Sequence, residues 1–466
     1  MKLTVIGCGH LGATHAACMA EIGHDVLGVD IDEGKTALLN SGKAWFHEPG
    51  LDDMLARGIT AGRLRFTTSF AEAAAFASVH FLGVATPGLP AGSYDLSQLR
   101  AAIRSLAPHL GQPALIIGKS TVTPGTAAAL QNMVAALAPA GPAAEVAWNP
   151  EFLREGCAVQ DTLRPDRIIA GVTGPAAETV LREIYQPLTD AGVPLIVTGV
   201  ATAELAKCAA NAFLATKVSF INAMADICRA AGADVTTLAT TLGMDPRIGP
   251  AFLRAGIGYG GACLPKDVCG LQTFAEKTQA ASAAGLLAAV NEVNQGRIRQ
   301  VTELITGVCG SLPGARAAVW GAAFKPGTDD VRDSPGLKIA SWLHQQGAEV
   351  TVHDPMASGN ALITCPHLSY ADTALTAVKD ADVLIIVTAW PEFREVSPAD
   401  AAKYAASRVL VDACQGVDAA AWRDAGWDVR SLCQDTQREG EGTGFGCLTS
   451  SPPFTAGRTS TTPCSG

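Results

Sequence analysis

The sequence predicts an α/β protein, with two doubly wound sheets joined by a long central helix and a helical middle region. Three observations predict it. Short apolar runs that stop in glycine, proline or polar residues alternate with helix-like stretches through the first third of the chain, the rhythm of parallel strands with crossover helices. A long alanine-rich stretch then runs without glycine or proline. The last third repeats the first in outline.

Taken in order, LTVIGCG (3–9) is an apolar run ending in glycine and reads as a first strand. A helix-like segment His15–Ile22 follows, and DVLGVDID (25–32) reads as a second strand. VHFLGVATP (79–87) and ALIIGKSTVTPGT (114–126) continue the series. From about Ala201 to Gly243 the alanine-rich composition predicts one long helix, a spine between domains. Beyond it, ARAAVWGAAFK (315–325) has the form of a strand entering a glycine turn, AEVTVHDP (348–355) echoes the second strand, and ADVLIIVTAWP (381–391) echoes residues 79–87. The expected units are 1–198, 199–300 and 301–433. Residues 434–466, rich in Gly, Ser, Thr and Pro, are expected to form a disordered tail.

A chain of 466 residues exceeds one ordinary core. Its formal charge of −10 argues against a nucleic-acid partner, which needs a basic surface, but leaves room for an anionic small molecule at a helix start. No apolar run reaches the ~18–20 residues of a membrane span, and the opening MKLTVIGCGHLG reads as a strand rather than a signal peptide. Thirteen cysteines are scattered without a CxxC pair. Reduced thiols in a cytoplasmic protein, with no metal site, are the expectation.

Gly7-Cys8-Gly9-His10-Leu11-Gly12 is a GxGxxG run placed after a strand and at a helix start, and Asp30 ends the next strand about twenty residues on. That context points to a Rossmann-like dinucleotide site, in which glycines let a pyrophosphate approach backbone N–H groups and the acid meets the ribose hydroxyls. Asp30 favours NAD over NADP, because a carboxylate repels a 2′-phosphate. Thr86-Pro87 and Lys119-Ser120-Thr121 each end an apolar run, where cofactor contacts belong in an open α/β sheet.

Gly256, Gly258, Gly260 and Gly261 crowd the run GIGYGGACLPKD around a single thiol, Cys263. Such glycine density suits backbone wrapped closely around a ligand. Lys266 is expected to lower the thiol pKa, and Asp267 to act as a base or orient a lysine. Lys207 and Asn211 share one face of the expected long helix, where an amine beside an amide can stabilise an oxyanion; Glu204 lies one turn before them, and a solvated polar stripe is the plainer account of the trio. Asn149-Pro150-Glu151-Phe152-Leu153-Arg154-Glu155-Gly156 sets two acids among apolar residues.

Together the runs GCGHLG, VDID, ATPG, KSTVTPGT, NPEFLREG, RPDRIIAG, AELAKCAANAFLATK, DPRIG, GIGYGGACLPKD, AAFKPGTDDVRDSP and VTAWPEF, spread in order over roughly residues 1–415, resemble the UDP-glucose/GDP-mannose dehydrogenase family. The resemblance implies two Rossmann-like doubly wound domains: an N-terminal one for NAD and a C-terminal one for a nucleotide sugar. It also implies a central helix through a homodimer interface. The implied reaction is a four-electron oxidation at C6 with two NAD, UDP-glucose being the expected substrate. By resemblance Cys263 is the nucleophile that attacks the C6 aldehyde, Lys207 and Asn211 hold the oxygen at C6, and Asp267 partners that lysine and an ordered water. Glu151 and Thr121 match residues of thioester hydrolysis. The cofactor is implied to meet Gly7, Gly9, Leu11, Gly12, Asp30, Lys35, Thr86, Thr121, Glu155, Lys266 and Arg332. The substrate is implied to meet Glu151, Phe152, Leu153 and Arg154, then Phe252, Arg254, Tyr259, Gly260, Phe324 and Lys325, with Arg247 reaching a neighbouring subunit's sugar.

The chain departs from the family pattern at three places. His10 stands where an aromatic is common, Asn222 is followed by Ala223 rather than glutamate, and a DGRN-like segment reads Asp412-Ala413-Cys414-Gln415. The missing arginine at Cys414 leaves TDP-glucose or GDP-mannose as alternative substrates. A two-electron dehydrogenase of the 6-phosphogluconate kind would not need Cys263. A binding module without turnover would need none of the acid, amine and thiol groups.

Overall fold

The computed structural model describes residues 1–433, and the tail expected from Gln434 lies outside the described residues. Eight strands, β1 (Lys2–Ile6), β2 (Asp25–Val29), β3 (Leu64–Thr67), β4 (Val79–Leu82), β5 (Ala114–Gly118), β6 (Ala144–Trp148), β7 (Ile168–Val172) and β8 (Leu195–Gly199), form one sheet in the order β3-β2-β1-β4-β5-β6-β7-β8. Neighbours are parallel except β6 and β7, which meet antiparallel at Trp148 and Gly171. Helices cover both faces, so β1, β2 and β4 are buried along almost their whole length, which is why they read as continuous apolar runs rather than alternating ones.

The second sheet contains β9 (Arg316–Trp320), β10 (Glu349–His353), β11 (Ser369–Tyr370), β12 (Val383–Ile386), β13 (Val409–Asp412) and β14 (Asp428–Ser431), ordered β11-β10-β9-β12-β13-β14. This repeats the order of β1–β6, and the outline repeat of the sequence is a repeat of topology. One hydrogen-bonding device recurs too. The Asp30 carboxylate accepts the Cys8 N–H at 2.8 Å, and Asp354 accepts the N–H groups of Ala322 and Ala323 at 2.8 and 2.9 Å. In each unit an acid after the second strand fastens the turn after the first, and that turn is opened by a glycine at positive φ, Gly7 (88°) or Gly321 (115°).

Between the sheets runs a 32-residue helix, Val200–Ala231, roughly 48 Å long at 1.5 Å per residue. Its buried residues belong to three cores in turn. Ala203 packs under the first sheet, Ala212 and Ala215 join Val268, Leu287 and Val290 in a middle cluster, and Ile221, Ala225 and Cys228 enter the core of the second sheet. The spine thus fixes both units against one another through burial.

Two boundaries differ from expectation. The helix expected to continue to Gly243 ends at Gly232, whose φ of 68° is left-handed, and Asp234 restarts a helix Val235–Gly243 by accepting the N–H groups of Thr236 and Thr237. The first helix spans His10–Glu21 and begins before the expected His15, because Gly9 caps it from extended backbone and the glycine motif itself enters the helix. Glu204 also departs from the polar stripe: it is buried, and its carboxylate accepts the N–H groups of Gly125 (2.8 Å) and Ala127 (2.6 Å) at the start of the helix Thr126–Leu137.

Candidate active site

A cleft of about 1270 Å³ opens at the carboxyl ends of β1, β2, β4 and β5 and is closed on its far side by Gly261–Cys263 and Arg332. It lies where the strand order reverses between β1 and β4, the usual ligand crevice of such a sheet. The glycine loop forms its floor. A Cβ at Gly7 would lie 2.6 Å from the Val84 side chain, and one at Gly12 would lie 1.7 Å from the Gly7 carbonyl oxygen. A Cβ at Gly9 would meet nothing within 4 Å, so its bare backbone is open to the cleft. Leu11, Asp30, Lys35, Thr86, Thr121 and Lys266 also line the cavity. Asp30 is oriented by the N–H groups of Cys8 and Asp32, and the Thr86 hydroxyl donates to the Thr121 carbonyl at 2.7 Å. His10 rests on Phe46, ring centroids 3.9 Å apart; burial first, then the Arg332 charge, push its pKa down to about 4, so the ring is neutral. This floor suits a dinucleotide: bare backbone N–H groups at a helix start for phosphates and a fixed carboxylate for ribose hydroxyls.

Cys263 immediately precedes the helix Leu264–Lys277 and faces the same cleft. Behind it the central helix presents Lys207 and Asn211 one turn apart, both buried. Lys207 Nζ lies 3.1 Å from Glu151 Oε1, and the other Glu151 oxygen accepts the Leu153 N–H at 2.6 Å. Asn211 Nδ2 donates to Asp267 Oδ2 at 2.5 Å, and Lys266 Nζ donates to Asp267 Oδ1 at 2.5 Å. Burial alone would depress Lys207, but Glu151, Cys263 and Asp267 together hold its pKa above the ordinary value.

One expectation needs correction here, and the effect of a second is outweighed. Asp267 takes Lys266, not Lys207, as its ion-pair partner, and Lys207 pairs with Glu151. Lys266 pulls the thiol pKa down as expected, but the net shift is upward. The cysteine surface is accessible from the cleft, yet surrounding walls desolvate it. That burial, joined by the Glu151 charge, pushes its pKa up to about 11 against the pull of Lys207 and Lys266.

The second unit closes over this centre. Phe324 abuts Gly261, where a Cβ would lie 2.6 Å from its ring, and Gly260 sits against the backbone of Asp333. Lys325 Nζ donates to the Glu155 carbonyl at 2.7 Å. Arg332 pairs with Glu155 at 3.0 Å and Asp330 at 2.6 Å. Burial, then the Asp330 charge, raise the Glu155 pKa despite Arg332. Arg254 donates to the Gln415 carbonyl, on the segment that carries Cys414. Phe152 packs between cations, with Arg167 4.0 Å and Lys207 5.5 Å from its ring centroid.

Two expected contacts, Arg154 and Tyr259, are placed otherwise. Arg154 turns to Asp161, which takes its guanidinium in two hydrogen bonds of 2.9 and 2.6 Å away from the cleft wall. The Tyr259 ring is buried in the helical cluster with Ala212, Ala215 and Val268, leaving only its backbone on the loop. Arg247 pairs with Asp245 on an exposed turn, and Phe252 is exposed at a left-handed φ of 64°. Two residues with no motif signal belong to the site. Glu48 caps the 156–159 backbone through the N–H groups of Gly156 and Ala158, and Tyr94 donates to Asp267 at 3.1 Å. Their partners lie more than 100 residues away in sequence, beyond the reach of any local spacing.

Residues 1–189 match the NAD binding domain of the UDP-glucose/GDP-mannose dehydrogenase family, residues 201–296 its central domain, and residues 318–419 its UDP binding domain. The UDP-glucose 6-dehydrogenase of Rhizobium meliloti (strain 1021) is 42% identical over 398 residues, 84% of this chain and 90% of that protein. The UDP-glucose 6-dehydrogenase TuaD of Bacillus subtilis (strain 168) is 40% identical over 401 residues, 85% of each. Among solved structures, a UDP-glucose dehydrogenase from Pyrobaculum islandicum superposes with a TM-score of 0.86 at 34% identity, covering 93% of this chain and 98% of that one. The chain is an NAD-dependent dehydrogenase and belongs to the UDP-glucose/GDP-mannose dehydrogenase family.

Proposed function

We propose that this enzyme oxidises UDP-glucose to UDP-glucuronate, using Cys263 as a covalent nucleophile. The observation that carries the reading is convergence. One thiol on the wall of the dinucleotide cleft is backed by a Lys207–Glu151 pair and an Asn211–Asp267 pair. NAD, when bound, supplies the hydride acceptor for each of two oxidations. The chain's own groups do the rest. Lys207 and Asn211 hold the C6 oxygen, so charge that develops there meets a buried ammonium and an amide. Cys263 adds its sulfur to the C6 aldehyde while its proton passes to that oxygen, giving a thiohemiacetal whose carbon again carries a hydride to lose. Loss of that hydride and the hydroxyl proton leaves a thioester. Glu151, which lines the cleft as Thr121 does, accepts a proton from water as it attacks, and the acid leaves with the thiol restored.

In the same reading residues 1–198 hold NAD, 199–300 form the dimerisation unit with the catalytic loop, and 301–433 hold the nucleotide sugar. Phe324, Lys325, Arg254 and the 256–261 backbone meet the substrate, and the exposed Arg247 reaches a neighbouring subunit's sugar. The homodimer is supported by Phe213, Phe220 and Ile227, exposed at seven-residue spacing along the central helix. A cytoplasmic location is in keeping with the described cysteines, all of which are free thiols. Among the described residues no helix is long and apolar enough to cross a membrane.

Cys414, next to the carbonyl that Arg254 engages, makes the nucleotide the specificity question. The test is NADH production with UDP-glucose, TDP-glucose and GDP-mannose, with the acid product counted beside it. UDP-glucose is expected to be preferred, with two NADH for each acid. One NADH per acid, or full turnover by Cys263→Ala, would sink the covalent mechanism. Preference for TDP-glucose would move the substrate and leave the chemistry standing.

A further inference from the structure

Tyr94 lies on the loop after β4, and the same loop's Thr86, Pro87, Gly88 and Leu89 wall the cofactor cleft. The loop doubles back on itself: the Leu89 N–H donates to the Ser93 carbonyl at 2.7 Å, Gly88 bridges Tyr94, and Gly92 turns at a φ of 81°. This fold drives the tyrosine inward beneath the Cys263 helix. Its ring lies 4.9 Å from Lys266 Nζ, and the space for its hydroxyl exists because residue 270 is glycine, where a Cβ would come within 2.8 Å of that oxygen. The hydroxyl donates to Asp267 Oδ1 at 3.1 Å and lies 3.3 Å from Cys208 Sγ, which in turn donates to the Val122 carbonyl at 3.2 Å. One buried hydroxyl therefore touches the helix of Cys263, the neighbour of Lys207 and, through it, the neighbour of Thr121.

Asp267 is fully buried, and a buried carboxylate is held in one orientation only by the donors around it. Three are present. Asn211 is the group read above as a partner of the substrate oxygen, so its amide is shared during the reaction. Lys266 is adjacent in sequence, partly exposed and on the cleft wall. Tyr94 is buried, does not line the cleft, and comes from the loop after β4 rather than from the Cys263 helix or from the helix read as holding the substrate oxygen. We propose that Tyr94 is a positioning residue. It fixes the Asp267 carboxylate while Asn211 engages substrate, and it ties that acid to the loop that walls the cofactor cleft. The proposal rests on the enzymatic reading above.

The test is a double-mutant cycle of Tyr94→Phe and Asp267→Asn, followed by NADH formation, in single turnovers with excess enzyme where steady-state rates are too low. Y94F is expected to lower kcat roughly tenfold, the size of one lost hydrogen bond to a charged group, with KM for NAD and sugar nucleotide changed by less than about twofold. In the D267N background the same change is expected to cost less than about twofold. Gly270→Ala is an independent probe, since its methyl group displaces the hydroxyl while favouring the helix; its kcat is expected to fall as well. A Y94F enzyme with wild-type kcat, an equal loss in both backgrounds, or a fully active G270A would each overturn the proposal. A wild-type protein that reduces no NAD with any of the three sugar nucleotides overturns the enzymatic reading and this role with it. Turnover with an indifferent Y94F removes only the role of Tyr94.

Discussion

At Cys263 the electrostatics run against a preformed thiolate. The thiol is pushed up to about 11 by burial and by Glu151, so at neutral pH it is protonated and the proton must leave as the S–C bond forms. Below that pKa the thiolate fraction grows about tenfold per pH unit, and thiolate is the species that reacts. Inactivation by iodoacetamide without cofactor is therefore expected to accelerate by about tenfold per unit from pH 7 to 10. Lys207→Ala is expected to slow it further at each pH, because the larger of the two cationic pulls on the thiol is gone. A rate that levels off below pH 8 would contradict this environment. The residue scale is also where sequence reading reached least far. The run around Cys263 announces a reactive thiol through its glycines, and a charge two or three positions away looks like its activator. Yet Lys266 is engaged by Asp267, and the walls that desolvate the sulfur come from distant segments. Tyr94 reaches Asp267 across a sequence separation of 173 and leaves no trace in any motif.

At the scale of elements much more was legible, because strands buried on two faces and a glycine-free helix write their periodicity locally. The existence of β1, β2, β4 and β5, and their echo in β9, β10 and β12, follow from apolar runs visible by eye. What escaped was decided by single residues. Gly232 stops the central helix, and the start at His10 is hidden inside the glycine motif that serves it. Those glycines have separable jobs, which a pair of variants can distinguish. Gly12→Ala puts a methyl group 1.7 Å from the Gly7 carbonyl, at the contact between helix and strand. It is expected to cost about 2–4 kcal/mol in stability, with Tm lowered by several degrees. Gly9→Ala meets no protein atom and adds its methyl group to the open cleft. Its Tm is expected to stay within about two degrees of wild type while the Kd for NAD rises at least about tenfold, because the methyl group stands where backbone and pyrophosphate must approach. Thermal melts and NAD titrations of both proteins check the assignment. Tight NAD binding by G9A would remove the glycine loop from the phosphate site.

Over the whole molecule the central helix has one face committed to three cores and another left apolar and bare. Phe213, Phe220 and Ile227 recur every seven residues on it, with Leu205 exposed nearer its start. A stripe of that spacing stays on one side of a helix over its length, which suits a second long helix laid alongside it. Burying a fully exposed Phe-sized side chain is worth about 1.5–3 kcal/mol, so these three half-exposed side chains from each of two chains supply stabilisation of the same order as the cost of association. A two-fold arrangement makes the contact self-complementary, so one substitution acts twice. Sedimentation equilibrium is expected to show a dimer for the wild type and a monomer for Phe213→Asp/Phe220→Asp. The exposed Arg247 gives that dissociation a catalytic readout. If it reaches the neighbouring subunit's sugar, the monomeric variant loses affinity for the sugar nucleotide while its NAD titration is unchanged, and Arg247→Ala reproduces the raised KM in an intact dimer. A wild-type monomer, or a dimer indifferent to both aspartates, would place the interface elsewhere and leave Arg247 paired with Asp245 as a surface ion pair only.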